Sequence, residues 1–236
     1  MTIPSDTPTL RNRWPIIAVI AAVAVIAGII ANKAVYRKNS DATATAQPTD
    51  AEKKQLRTLQ ESLATTAVFP KNFITVPAFS LIDQQGEAVT ESLFKNQWSM
   101  VFFGYTHCPD ICPMTMTIMN SVADELKASN TQALQVVFVS VDPKRDTADV
   151  LGNYMNFFNP TFKGITGKLA DVLALTGKLG IVASYTTIEG TEDYLVDHTA
   201  SMLLIDPEGR VRGKFSAPHK VESIVDDYKK ILDNLG

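Results

Sequence analysis

Residues 99–113 have the sequence SMVFFGYTHCPDICP, and this stretch decides how the chain folds. The unbroken apolar run 99–105 predicts a central strand buried on both faces, because a half-buried strand would alternate apolar and polar residues. Residues 113–127 repeat apolar side chains at helical spacing and predict a helix. Cys108 and Cys112, the only cysteines of the chain, therefore lie between a buried strand and a helix.

Strands and helices alternate along the rest of the C-terminal region. Residues 79–89 predict a hairpin that turns at 84–86, since apolar and polar residues alternate before the turn. The other predicted elements are strands at 134–141, 201–205 and 211–215 and helices at 146–158, 169–179 and 221–235, with Asp146 as the N-cap of the first of these helices. This order predicts an α/β fold in which helices flank a mixed sheet.

The charges of the chain are unevenly distributed. Its 236 residues carry 22 Lys and Arg side chains and 25 Asp and Glu side chains, a formal net charge of −3. Residues 1–69 have 8 basic and 5 acidic side chains, whereas residues 70–236 have 14 and 20. With an apolar fraction of 45%, this balance excludes a disordered chain, a collagen-like repeat and a nucleic-acid binder that works by bulk positive charge. We therefore expect an acidic C-terminal domain and no nucleic-acid partner.

An uncharged apolar segment precedes this domain at residues 14–31. As a helix it would span roughly 27 Å, close to the hydrocarbon thickness of a bilayer. A cleaved signal peptide is the alternative, but its apolar region is normally about 7–15 residues long and its cleavage site follows closely. The nearest small-x-small site outside the run, at residues 42–44, lies more than ten residues further on. We therefore predict a retained single transmembrane anchor.

These features predict four segments along the chain. Residues 1–13 form a short N-terminal tail, 14–31 the anchor, 32–69 a polar stalk and 70–236 the folded domain. Residues 49–64 could alternatively form a charged helix, but their polar composition favours the stalk. The charges beside the anchor do not determine its orientation, because two cations precede it and three follow.

The spacing of the two cysteines allows either a disulfide or a metal site. Cys108 and Cys112 are separated by three residues, one more than in the C-x-x-C motif of redox enzymes. The following helix should direct unpaired backbone N–H groups and its positive dipole end at Cys112 and lower the pKa of this thiol. A structural disulfide is the alternative, although one disulfide that closes so short a loop would add little stability to a domain of this size.

A histidine late in the chain can complete a three-ligand site. His198 lies shortly before the predicted strand 201–205, and in a thioredoxin-like sheet the loop before this strand passes beside the cysteine loop. Redox enzymes have a cis-proline there, where this chain has Ala200. Two thiolates and an imidazole suit Cu(I) in three-coordinate geometry, and Cu(II) could also bind. Zinc could compete, but a structural zinc site usually needs a fourth ligand, for which we find no further Cys or His.

Three motifs together resemble a known family. The chain contains FFGYTHCPDICP at 102–113, VSVDPKRDT at 139–147 and DHTASMLLIDPEG at 197–209. These motifs are similar, in order and spacing, to those of the Sco/SenC family of copper-binding assembly proteins. The resemblance covers residues 70–236 and extends to the single N-terminal anchor.

The resemblance implies a thioredoxin-like domain in which Cys108, Cys112 and His198 bind copper. It also implies a role in maturing the dinuclear copper centre in subunit II of cytochrome c oxidase. The N-terminus lacks an Arg- and Ser-rich transit pattern, so we expect a single-pass protein of the bacterial inner membrane whose domain faces the periplasm. The expected partners are subunit II, other copper chaperones and thiol reductants.

Several other side chains could bind or tune a metal, and each also has an ordinary structural explanation. Met116 and Met119 share a helix face and are predicted to fill the core. Asp142 and Asp146 could hold a divalent cation, but roles in a turn and a helix cap explain them equally well. The remaining candidates are Asp197, as a hydrogen-bond acceptor for His198, and His107, Asp110, Met114 and His219, as ligands or groups beside the site.

Three functions compete for the cysteine pair. In a metallochaperone both cysteines bind copper and His198 is required. In a thiol–disulfide oxidoreductase one cysteine attacks a partner disulfide and the other resolves it, so that His198 is dispensable. Ala200 and the wider cysteine spacing count against a general reductase, and the lack of an arginine in the cysteine loop counts against a thiol peroxidase. We therefore expect copper delivery, with thiol reduction as the alternative.

Overall fold

The computed structural model describes residues 47–190 and 194–236. The predicted tail 1–13, the anchor 14–31 and the first part of the predicted stalk, up to residue 46, lie outside the described residues. Among the helices within the described ranges, none is both long and apolar enough to span a bilayer.

The strands of the described domain form one large sheet and one small sheet. They are β1 (Thr66–Val68), β2 (Ile74–Thr75), β3 (Leu81–Asp83), β4 (Ala88–Val89), β5 (Trp98–Gly104), β6 (Leu134–Ser140), β7 (Lys163–Thr166), β8 (Ala183–Thr187), β9 (Tyr194–His198), β10 (Met202–Ile205) and β11 (Arg210–Phe215). Within the described ranges the large sheet has the order β1-β11-β10-β5-β6-β7-β3-β4, with β2 paired to β11. β8 and β9 form a separate antiparallel pair.

The described part of the chain contains five α-helices. They are α1 (Asp50–Ser62), α2 (Ile111–Ala128), α3 (Ala148–Phe158), α4 (Leu169–Lys178) and α5 (Val221–Leu235). Thr49 starts α1 with a capping box, because its side chain accepts from the Glu52 N–H while the Glu52 carboxylate accepts from the Thr49 N–H. Gly180 follows α4 with a φ of 70°, a left-handed conformation that glycine adopts without strain.

Strand β5 is the centre of the sheet. All seven of its residues are buried. It runs parallel to β6 on one side and antiparallel to β10 on the other. The core therefore holds its carboxyl end firmly, and this is the end from which the cysteine loop continues.

The predicted α/β fold, with helices beside a mixed sheet, is confirmed. The hairpin expected in 79–89 is the pair β3 and β4, and the helix expected at 221–235 is α5. The sequence patterns did not predict β7 or the pair β8 and β9. These strands are short, and their sequences KGIT, ASYTT and YLVDH are weak strand signals beside the long apolar runs of β5 and β6.

The prediction that Asp146 is the N-cap of the helix at 146–158 is wrong. Helix α3 begins at Ala148, and the Thr147 side chain caps it by accepting from the Val150 N–H at 3.4 Å. The Asp146 carboxylate is fully buried. A buried carboxylate needs several donors, and it finds them in the cysteine loop and in β6 rather than in its own helix.

The structure also differs from the predicted stalk over its last twenty or so residues. Strand β1 pairs antiparallel with β11, with Thr66 opposite Phe215. Helix α1 buries Leu59, which is 2% exposed, against the domain. Leu59 is the only buried residue of this helix. Its other positions are at least partly exposed and are mostly polar. The composition of the helix is therefore typical of a linker.

Asp227 of α5 fastens this N-terminal segment to the domain. Its fully buried carboxylate accepts hydrogen bonds from the backbone N–H groups of residues 64–66, at 2.8 to 3.1 Å. It also accepts from the hydroxyls of Thr65 and Thr66. Five donors on one buried carboxylate compensate its desolvation.

We expect Asp227→Ala to lower the free energy of unfolding by about 3 kcal/mol, because three backbone N–H groups lose their charged acceptor. Urea unfolding of the purified chain, followed by circular dichroism, measures the change. The matched control is Asp226→Ala, whose carboxylate is 59% exposed and pairs with Lys230. Its loss should stay below about 1 kcal/mol. Equal losses in the two variants would contradict the role assigned to Asp227.

Candidate metal centre

The two cysteines lie where β5 gives way to α2, as the sequence predicts. Cys108 is in the intervening loop, and its backbone N–H donates to the Tyr105 carbonyl at 3.3 Å. Cys112 is the second residue of α2. It is fully buried, whereas Cys108 is partly exposed, and both are free thiols.

Gly104 makes room for the sulfur of Cys112. A Cβ atom at this last residue of β5 would lie 2.8 Å from Cys112 Sγ and 3.0 Å from the rings of Phe102 and Phe138. A Cβ almost never lies this close to a sulfur, so any larger residue would displace Cys112 Sγ and the two rings, and glycine lets the first turn of α2 approach the strand. The sequence analysis missed this role, although a glycine between a buried strand and a cysteine loop is a signal for it.

His198, the last residue of β9, reaches the cysteines from another part of the chain. Thr199 closes the base of the β8–β9 pair, since its N–H donates to the Val182 carbonyl at 3.0 Å and its hydroxyl accepts from the Val182 N–H at 3.1 Å. His198 Nδ1 lies 3.2 Å from the Thr199 carbonyl oxygen. The neutral ring therefore donates from Nδ1 and presents the lone pair of Nε2 to another partner.

The two sulfurs and the imidazole form one compact group that could hold a metal ion. The ligand atoms of Cys108, Cys112 and His198 all lie within 4.8 Å of one another, and His198 Nε2 is 3.4 Å from Cys112 Sγ. No further His, Cys, Asp or Glu in the described part of the chain belongs to this group. The rings of Phe102 and Tyr105 meet the imidazole edge-on, with centroids at 5.8 and 5.9 Å. Such a site suits a soft cation with three ligands better than tetrahedral zinc.

The two thiols have opposite pKa shifts. Burial raises the pKa of the Cys108 thiol, but the backbone N–H groups of residues 110–112 point at its sulfur and bring its pKa below the ordinary value. Burial raises the pKa of the Cys112 thiol far above the ordinary value, and the neighbouring Cys108 raises it further. Burial also lowers the pKa of His198, which keeps the ring neutral and able to bind a metal.

The prediction that the helix lowers the pKa of Cys112 is therefore wrong. The N–H groups of the first turn of α2 do stabilise a thiolate, but they reach Cys108 in the preceding loop. Cys112 lies within the helix and faces the core. The site thus pairs an ionisable, accessible sulfur with a buried thiol whose S–H can donate to the imidazole of His198.

Asp146 holds the start of the cysteine loop. Its carboxylate accepts from the Thr106 N–H at 3.0 Å, from the Thr106 hydroxyl at 2.6 Å and from the Ser140 hydroxyl at 2.6 Å. His107 Nδ1 lies 3.6 Å from the same carboxylate, and the His107 side chain is about half exposed. His107 therefore contacts Asp146 and solvent and is not part of the three-ligand group.

The methionines and Asp110 also stay outside the group. Met116 and Met119 are fully buried in the core, as the sequence predicts. Met114 is 50% exposed on α2. Asp110 is exposed, and its side chain makes no capping bond to α2; its contribution is the backbone N–H that faces Cys108.

The other candidates have protein partners of their own. His198 uses the Thr199 carbonyl as its acceptor rather than the predicted Asp197, which is exposed. His219 Nε2 lies 2.8 Å from the Ala200 carbonyl oxygen.

Asp142 and Asp146 do not form a cation site with each other. The Asp142 carboxylate accepts from Arg145 and from the Tyr194 hydroxyl, and the Asp146 carboxylate accepts from the cysteine loop. The sequence analysis missed Arg145 and Tyr194.

Comparison with known proteins shows the family of the chain. The sequence model of the family described as SCO1/SenC matches residues 70–233. The chain belongs to the SCO1/SenC family. The resemblance to the Sco/SenC family is therefore confirmed.

Solved Sco structures have the same fold. The copper-bound ScoI of Arabidopsis thaliana is 34% identical with a TM-score of 0.64, over 67% of this chain and 99% of that chain. The copper-bound ScoI of Bradyrhizobium japonicum is 34% identical with a TM-score of 0.59, over 66% of this chain and 98% of that chain. Both similarities support the predicted thioredoxin-like fold, a mixed sheet with flanking helices.

Mitochondrial members of the SCO1/SenC family are longer than the shared region. The human mitochondrial SCO1 homolog is 39% identical over 132 residues, which is 56% of this chain and 44% of that protein. The cattle mitochondrial SCO2 homolog is 31% identical over 64% of this chain and 58% of that protein. The chain therefore spans about half the length of these curated relatives.

We expect Cys108 to react with iodoacetamide more than about tenfold faster than Cys112, because only a thiolate reacts and only Cys108 is both accessible and of lowered pKa. The rate at Cys108 should rise with pH and reach its half-maximum at a lower pH than in the same chain unfolded in urea, since a lowered pKa gives the thiolate at lower pH. Timed quenching and peptide mass spectrometry of the reduced chain measure both rates.

Two variants check the assignment of the fast reaction. Cys112→Ser should keep the fast phase, and Cys108→Ser should lose it. Faster labelling of Cys112 than of Cys108 would contradict the assignment of the lowered thiol pKa to Cys108.

Proposed function

We propose that the chain is a copper metallochaperone that binds copper through Cys108, Cys112 and His198. The observation that carries this proposal is the meeting of two sulfurs and one imidazole nitrogen within 4.8 Å. Two thiolates and an imidazole are ligands that Cu(I) prefers, and they also bind Cu(II). Membership of the SCO1/SenC family, whose relatives include copper-bound ScoI proteins, supports the same cargo.

The exposure of the ligands suits a carrier that must also release its cargo. Cys108 is the accessible sulfur, while Cys112 is buried beneath it. Partner thiolates would replace Cys108 and then Cys112, and a further partner ligand would replace His198, so that each copper–ligand bond formed to the partner accompanies one broken in this chain. The number of ligands on copper and its oxidation state then stay constant during transfer.

We further propose that the client is subunit II of cytochrome c oxidase, whose dinuclear copper centre the protein would load. This step follows from the resemblance of the three sequence motifs to the Sco/SenC family. Residues 14–31 would anchor the domain in the bacterial inner membrane, facing the periplasm, since an uncharged run of this length matches the bilayer. Other copper chaperones and thiol reductants would supply the metal and keep the cysteines reduced.

The asymmetry of the two thiols favours a second function, thiol–disulfide exchange with the same client. The Cys108 thiolate would attack a client disulfide, forming a mixed disulfide and releasing one client thiolate. Cys112 would then attack Cys108 Sγ, release the second client thiol and leave a Cys108–Cys112 disulfide, so that two electrons pass to the client. A thiol reductant must afterwards reduce this pair.

We expect the reduced chain to bind one Cu(I) under anaerobic conditions. Cys108→Ser and Cys112→Ser each remove a ligand and should weaken binding by more than the roughly 10–100-fold typical for loss of a group that only orients a ligand. His198→Ala should weaken binding by at least about tenfold. Competition with a chromophoric Cu(I) chelator measures all four affinities.

The matched control for the imidazole is His107→Ala, which removes a half-exposed ring beside Cys108 that lies outside the group of three. It should bind Cu(I) within about twofold of the parent. Parent-like binding by His198→Ala would contradict the ligand role of His198. A reduced parent that binds no copper would contradict the proposed function itself.

A transfer experiment separates the two functions. The Cu(I)-loaded chain, in twofold excess, is mixed anaerobically with the reduced soluble domain of subunit II, the two proteins are separated, and the copper bound to each is measured. In a parallel reaction the copper-free chain is mixed with the oxidised domain, and released client thiols are counted. For copper delivery we expect His198→Ala to lose loading but to keep thiol release. Loading that is unchanged in His198→Ala would contradict delivery through the three-ligand site.

A further inference from the structure

One loop contacts both halves of the proposed copper site. Residues 141–146 connect β6 to the start of α3. We propose that this loop, through Asp142, Arg145 and Asp146, positions His198 against the two cysteines and thereby sets the affinity for copper. This inference rests on the copper-binding function proposed above, and it concerns residues that do not touch the metal.

Asp146 holds the cysteine half. It is fully buried, and two of its three hydrogen bonds come from Thr106, two residues before Cys108. The third comes from Ser140, whose hydroxyl also accepts from the Asp142 N–H at 3.0 Å. Moving the cysteine loop would leave a buried carboxylate without its donors, which is strongly unfavourable.

Asp142 holds the histidine half. Its carboxylate is 1% exposed and accepts from the hydroxyl of Tyr194 at 2.5 Å and from Arg145 Nε. Tyr194 is the first residue of β9, and His198 is the last. The strand that presents the imidazole is therefore attached to the loop at its far end.

Arg145 contacts both halves at once. Its guanidinium carbon lies 4.1 Å from the centroid of the Tyr194 ring and 5.6 Å from that of Tyr105. One of its N–H groups also donates to the Tyr194 carbonyl at 3.4 Å. The Tyr105 ring in turn meets the imidazole of His198. A cation between two aromatic faces therefore links the histidine strand to the cysteine loop.

A second tyrosine attaches the other strand of the pair. The hydroxyl of Tyr185 in β8 donates to the Val141 carbonyl in the same loop. In the register of the pair Tyr185 lies opposite Val196, and Ala183 lies opposite His198. The strand that carries the imidazole and its partner strand are thus both bonded to the loop 141–146 through tyrosine hydroxyls.

These bonds matter because the pair β8 and β9 lies outside the large sheet. Within the described residues its strands pair only with each other. Val182 at its base is 68% exposed and Leu195 within it is 57% exposed, whereas Val196 of β9 is 5% exposed and packs in the core. The side-chain bonds to the loop therefore act together with the packing of Val196 to fix where His198 lies.

The test variant is Tyr194→Phe, which removes one hydroxyl and keeps the ring under Arg145. Cu(I) affinity should fall by about tenfold, as when a partner that orients a metal ligand is lost. The visible thiolate-to-copper absorption of the Cu(II)-loaded chain should shift toward that of His198→Ala. Competition with a Cu(I) chelator and absorption spectra of the purified full-length chain measure both effects.

A double variant distinguishes positioning from general destabilisation. In the His198→Ala background, Tyr194→Phe should change Cu(I) affinity by less than about twofold, because the hydroxyl acts through the imidazole. The matched control is Tyr228→Phe, which removes a hydroxyl that donates to the Gln132 carbonyl at 3.4 Å. Tyr228 packs on Trp98, at the opposite end of β5 from the cysteines, and the control should bind Cu(I) within about twofold of the parent.

The outcomes separate this inference from the function on which it rests. Parent-like affinity in Tyr194→Phe would overturn the positioning role while copper binding by the parent stands. An equal loss with and without His198 would also overturn it, since the hydroxyl would then act on the whole domain. If the parent binds no Cu(I), the proposed function itself fails, and the titration of the unmodified chain detects this first.

Discussion

The hydrogen bond between Cys112 and His198 joins two parts of the chain that are 86 residues apart, and the site depends on it. Cys112 is fully buried, and its sulfur is the partner of the Nε2 atom of His198. Since burial keeps the thiol protonated and the imidazole neutral, the S–H can donate to Nε2. A soft cation can replace that proton without moving either side chain far, because sulfur and nitrogen already face each other.

The two cysteines differ in thiol pKa and in accessibility because they occupy different positions at the start of α2. Cys108 lies in the loop, where backbone N–H groups stabilise its thiolate and solvent or a partner can reach it. Cys112 lies inside the first turn, in the space that Gly104 leaves open. The same asymmetry suits stepwise release of a metal ion and stepwise exchange of a disulfide. This is the physical reason why both functions are compatible with one SCO1/SenC domain.

Sequence patterns succeeded where a local signal matched the final environment. The apolar run of β5 predicted a fully buried strand, and the spacing that follows predicted α2. They failed where distant partners changed a residue's role. Asp146 is typical of a helix cap, yet it serves the cysteine loop. Helix α1 is typical of a linker, yet Leu59 and the bonds of the following residues to Asp227 attach it to the domain.

By itself the sequence determined the α/β class of the fold, the family and the identity of the three candidate ligands. These follow from local periodicity and from short motifs, both of which can be recognised without knowing the tertiary contacts. Only the tertiary structure decided which thiol is ionisable, which acceptor orients His198, and which loop holds the two halves together. Such properties depend on burial and on hydrogen bonds between residues far apart in the chain, and no local pattern encodes them.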